Sequence, residues 1–169
     1  MIRNVFIPLI FLLAFENSFA QNTEEEFLKN YEARIKLDRI NDVYIPKDLK
    51  DALKELDRLT DDKAAMKLTT SPEDTIASKL HFSLGRWMLL HWSLEEGSRL
   101  SHHLKSKGLS FPDDMMDFLI RCWYRHLNKQ PLDEHKLIQK YIIKRKEDFL
   151  KKMNSIETIR IEQKLKQKN

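Results

Sequence analysis

The chain is poor in cysteine, glycine and proline: one, three and five in 169 residues. A single cysteine, Cys122, excludes an internal disulfide, so a hydrophobic core must hold the fold together. With three glycines there is no glycine-rich phosphate loop and no nucleophile elbow. The β-branched residues are scattered and form no alternating runs, so strand signals are weak throughout. After the first twenty residues no stretch is long and apolar enough to span a bilayer. The histidines, His81, His91, His102, His103, His126 and His135, offer no pair three or four residues apart and no HExxH, so no helix carries a ready metal site. No cofactor is expected.

What is present begins with a distinctive leader. "MIRNVFIPLIFLLAFENSFA" has Arg3, an apolar run from Val5 to Phe15, and Ser18-Phe19-Ala20 before Gln21. That three-part order reads as a secretory signal peptide cleaved near Ala20. The run is shorter than the roughly 20 apolar residues of a spanning helix. The reading predicts a mature chain from Gln21 in the periplasm or outside the cell. In an oxidising compartment an unpaired thiol is either buried or reactive. The "MMDFLIRCWYRHL" spacing puts Cys122 on a buried helix side.

The formal net charge is +4, and acids nearly balance bases from Gln21 to Pro131. The basic excess follows Leu132. It marks residues 141–169 as a basic helical extension, either a solvated face or a weak contact with an anionic surface. Nucleic acid is not an expected partner of an exported chain.

Helix signals fill the rest, giving an all-α class: a compact bundle of four to five short helices and a longer basic C-terminal helix. Residues 21–42 read as a helical leader with Thr23 as cap, and 43–140 as the domain. Within it, Pro46 opens a helix whose apolar face is Leu49, Leu53, Leu56 and Leu59. Ser71 caps a second, with Pro72 in its first turn. Its stripe is Ile76, Leu80, Leu84, Trp87 and His91. The stretch reads as the central helix, with Gly85 as a helix-contact point and Arg86 and Trp92 toward an exposed rim. Ser98 opens a third helix, stopped by Gly108 with Leu109 packing back. Ser110 and Asp113 have capping-box spacing ahead of a fourth, whose apolar face is Met116, Leu119, Ile120, Trp123 and Leu127.

Asp113 and Asp114 diverge as neighbours on a helix, which suits helix-start stabilisation better than a catalytic dyad. Arginines accompany the aromatics, a pairing used for packing, acidic ligands and protein interfaces. The candidate ligand or interface residues are therefore Arg86, Trp92, Arg99, Asp113, Asp114 and Arg125.

"YIPKDLKDALKELDRL", followed by "LHFSLGRWMLLHWSLEEGSRLSHHLKSKGLSFPDDMMDFLIRCWYRHLN", resembles a family of small bacterial domains of unknown function, frequent in Bacteroidetes. The matching residues are Tyr44, Ile45 and Pro46, then Gly85, Trp92, Leu94, Ser98, Leu100, Gly108 and Leu109. Pro112, Asp113, Asp114, Met115, Arg125 and Leu127 complete the pattern. Phe111 stands where a histidine is usual, Met88-Leu89 replace an arginine and a polar residue, and "WYRHLN" has an altered order. The resemblance implies a small exported helical domain and no transferable activity.

Two function classes follow. The favoured one is an exported, non-enzymatic domain binding an unknown protein or small ligand in the cell envelope. The alternative is a periplasmic hydrolase-like or metal-dependent enzyme using His81, His91, His102 or Asp113. An immunity or inhibitor protein is a third option.

Overall fold

A computed structural model describes the backbone of residues 25–166 and side chains from 25 to 157. The signal-peptide reading and the Thr23 cap lie outside the described residues.

Residues 25–34 form a helix, α1. Two short antiparallel strands follow, β1 (Arg39–Ile40) and β2 (Val43–Tyr44), in register Arg39↔Tyr44 and Ile40↔Val43. Their two-residue turn places Asn41 and Asp42 at φ 50° and 63°. Asn and Asp are the non-glycine residues most at ease there. This hairpin is small, and the rest is helical: α2 (Leu49–Leu59), α3 (Asp62–Leu68), α4 (Glu73–Leu80), a π-helical turn (His81–Gly85), α5 (Arg86–His91), α6 (Arg99–Ser106), α7 (Pro112–Leu127) and α8 (Glu134–Lys166). The protein is predominantly all-α.

Capping explains the boundaries, with corrections to the sequence reading. Asp48, not Pro46, caps α2, accepting from the Asp51 amide at 2.9 Å. Asp61 likewise caps α3 through the Ala64 amide, directly after Thr60 ends α2. Ser71 does not cap α4: its carbonyl accepts the Tyr124 hydroxyl, and the boundary position is Pro72. Phe111 rather than Ser110 precedes α7, with Pro112 in the first turn where its missing N–H costs nothing. Ser98 does cap α6, in a reciprocal box with Ser101. Gly108 ends that helix at φ +104°, and Leu109 packs into the core, as the sequence implies.

The largest departure lies in the second helix. A π turn inserts one extra residue, which rotates everything after it by about 100°. The buried positions become Gly85, Met88 and Trp92 instead of Leu84, Trp87 and His91. Trp92 is thus fully buried rather than on a rim, Trp87 is half-buried, and His91 is exposed. The ring of His91 stacks on Trp87 with centroids 4.8 Å apart.

The central element is α7, not the stretch around Gly85. It touches α2 through α6, the π turn and α8. Met115, Met116, Phe118, Leu119, Ile120, Cys122 and Trp123 on it are buried. Each such large side chain contributes about 1.5–3 kcal/mol. Gly85 does serve as a contact point with this helix: a Cβ there would sit 3.6 Å from Met116 Cβ and 3.5 Å from Ile120 Cδ1. After Leu127 the chain reverses through Lys129 and Asp133, both at positive φ, into α8. Leu137, Ile138 and Tyr141 dock α8 on the core, and the helix continues unbroken across position 140.

Candidate functional site

Arg86 and Asp113 are exposed, while Trp92 is internal, and its Nε1 finds no acceptor among the described residues. Arg99 lies partly buried over the Tyr44 ring, 5.1 Å from its centroid, and donates to the Ile45 carbonyl at 2.7 Å. It ties α6 to the end of the hairpin. Asp114 is buried and takes a two-pronged contact from Arg145 at 2.7 and 2.8 Å. Arg125 donates to Glu73 at 2.8 Å and to the Leu132 carbonyl at 3.0 Å. No hydrogen bond or ion pair joins any two of the six. Three of them, Arg99, Asp114 and Arg125, hold elements together, and Trp92 fills the core.

The same holds around Arg121. It reaches Asp117, Glu73 and Asp74 at 2.8, 3.1 and 2.7 Å. Burial works against its charge, but the Asp117, Asp74 and Glu73 carboxylates outweigh that and hold the guanidinium far above its usual range. Asp117 also accepts the Tyr141 hydroxyl. Burial, then Asp117, push that phenol well up. These contacts fasten α4, α7 and α8 together. Burial pushes the Cys122 thiol up to about 12, so at neutral pH it is a small core residue and not a nucleophile.

The histidines proposed for catalysis go separate ways. His81 meets Phe82 edge-on, His91 bonds the Trp87 carbonyl, and His102 Nδ1 faces the Tyr31 hydroxyl at 3.1 Å. Among the described residues no group of three or more His, Cys, Asp or Glu could hold a metal ion.

A concave site does form elsewhere, between α2 and the end of α7. The groove has a volume of ≈ 620 Å³. Its floor is Leu49, Leu53 and Leu132, and Lys50 and Lys54 stand along one wall. The lysines are one turn apart on α2 and therefore project together. On the same helix, three residues past Lys54, Asp57 is held between two donors from α7, Trp123 Nε1 at 3.0 Å and His126 Nε2 at 2.8 Å. That carboxylate is occupied by its two donors, and Glu134 at the start of α8 completes the lining. Lys50 and Lys54 engage no carboxylate in an ion pair among the described residues.

Sequence reasoning missed this site because its walls come from segments some 70 positions apart. The local signal was Trp123 and His126, three apart and therefore on one side of a helix. Nothing local indicated that Asp57 would be their acceptor.

Residues 45–127 match the model of a family described as a domain of unknown function (DUF6794). The match takes in α2 to α7 and excludes α1, the hairpin up to Tyr44, and α8. No curated protein matches the chain, and no solved structure does.

Proposed function

We propose that this chain, whose residues 45–127 belong to that family of domains of unknown function, is an exported, non-enzymatic helical domain that binds a small ligand in the cell envelope. The observation that carries the binding reading is the α2–α7 groove, with its apolar floor and its wall of two lysines. Its size falls in the range of small-molecule sites, which are mostly apolar with a few placed polar groups. Such a groove suits an apolar body with an anionic head. Export rests on the leader pattern of residues 1–20.

Titration calorimetry with decanoate, an apolar chain with a carboxylate, tests the groove. Saturable binding is expected, and Lys50→Glu with Lys54→Glu should weaken it about tenfold, the worth of one charged contact. Both lysines are exposed, so the fold should persist. Binding that is unchanged in the double variant, or absent from the wild type, removes the reading.

A second reading, a hydrolase-like enzyme, has one feature in its favour: the Asp57–His126 pair, which resembles a base with its orienting carboxylate. The groove lining holds no Ser, Thr or Cys to be activated. The pair therefore serves the binding reading better, as a prop for the α7 wall.

A further inference from the structure

We infer that α8 is a surface-seeking helix that lies against an anionic lipid bilayer. The apolar side chains on its outer part stay more than a third exposed, Ile142 being the one that also packs against the domain, at Gly108. Ile142, Phe149, Leu150, Met153 and Ile156 are 38%, 60%, 49%, 47% and 37% exposed. At 100° per residue they fall on one side of the helix, about a quarter turn from Leu137, Ile138, Tyr141 and Arg145, which face the core. The patch reaches the body of the domain at Phe111, itself 49% exposed, whose ring carries the Arg145 guanidinium 4.2 Å from its centroid.

Charge decides the occupant. Glu134–Lys166 contains ten Lys and Arg against five Asp and Glu, in a chain of net charge +4, so the remainder is close to neutral. Lys136, Lys140, Lys144 and Lys151 lie on the side away from the apolar stripe. A helix with one apolar side and a lysine-rich polar side is the form that settles in a membrane interface, drawn there by anionic headgroups. Lys146 stands within the stripe, and its long stem lets the ammonium reach back to the headgroups.

A second copy fits less well. Ile142, Phe149 and Ile156 repeat every seven residues, as in a coiled-coil seam. Lys146, however, fills the seam position between the first two, and two parallel copies would set lysine against lysine.

The test is co-sedimentation of the full chain with phosphatidylcholine vesicles containing or lacking phosphatidylglycerol. Binding should require the anionic lipid, weaken with salt, and fall about tenfold in Phe149→Ser with Met153→Ser, since each loses apolar burial. Both positions are exposed, and circular dichroism checks that the helix survives. The apolar leader is common to both chains, so their difference reports α8 alone. Phe149→Trp should show a blue-shifted emission on anionic vesicles only. An equal wild-type-minus-variant difference on neutral vesicles, or undiminished binding of the double variant, overturns the inference. So does a dimer in sedimentation equilibrium that the same substitutions dissolve, because the stripe would then be covered by a second copy.

Discussion

Asp51 shows how one side chain serves two levels of structure. Its carboxylate accepts the Tyr44 hydroxyl at 2.8 Å and the Lys47 amide at 3.0 Å, joining the hairpin to the start of α2. Partial burial raises its pKa. The Lys47 amide, the Tyr44 hydroxyl and the Arg99 charge together outweigh burial and leave the carboxyl below its usual range. A carboxyl depressed in the fold adds stability that is fully present above its unfolded pKa, about 3.9. That stability is lost as the pH falls through the folded value. Asp51→Asn should therefore cost about 1 kcal/mol at neutral pH, one to two hydrogen bonds being weakened. The midpoint of thermal unfolding should then decline less steeply than the wild type's as the pH falls below about 4. Differential scanning calorimetry across that window checks it. Parallel declines would mean that other carboxylates govern the acid limb.

At the scale of elements, the π turn from His81 to Gly85 matters most. It shifts the helical phase, brings Trp92 inside and leaves Phe82 85% exposed. Gly85 lies where this turn meets α7. A Cβ there would find ordinary contacts at 3.5–3.6 Å rather than a clash. Gly85→Ala should therefore be neutral or stabilising by up to about 1 kcal/mol, the helix-propensity difference. Gly85→Leu has no such room and should destabilise by about 1–3 kcal/mol through overpacking. Urea unfolding of the two variants measures both. A large loss in the alanine variant would show that the turn depends on glycine's backbone freedom and not on close approach.

The whole molecule is a bundle around α7 to which α8 is fastened at one end. The fastening consists of Leu137, Ile138 and Tyr141 on the core and the Asp114–Arg145 pair. Beyond Arg145, residues 146–157 are exposed. Asp114→Ala removes both prongs of the pair and should cost about 2 kcal/mol, as charged hydrogen bonds do. It should also speed amide exchange from Leu137 to Arg145 while α2 remains protected. Hydrogen–deuterium exchange by segment reads this directly. Uniform acceleration across the domain would instead make α8 part of the same cooperative unit as α7.

The sequence by itself determined the all-α class, the caps at Ser98 and Gly108, the burial of Cys122 and the Leu49, Leu53 and Leu56 face of α2, though not Leu59, which is exposed. Each follows from residues within a turn or two of one another: three-to-four-residue apolar spacing, a hydroxyl at a helix start, a glycine at positive φ. It was misleading where a single inserted residue changed the phase, so Trp87 and Trp92 exchanged roles. A π turn is selected by packing against α7, and no local motif announces it. Only the tertiary structure decided that α7 is central, that Asp114 and Arg125 are ties, and that Asp57 and His126 meet across one end of a groove. Pairings between carboxylates and their donors 30 to 70 positions away depend on how helices cross, and periodicity along one helix carries no record of that.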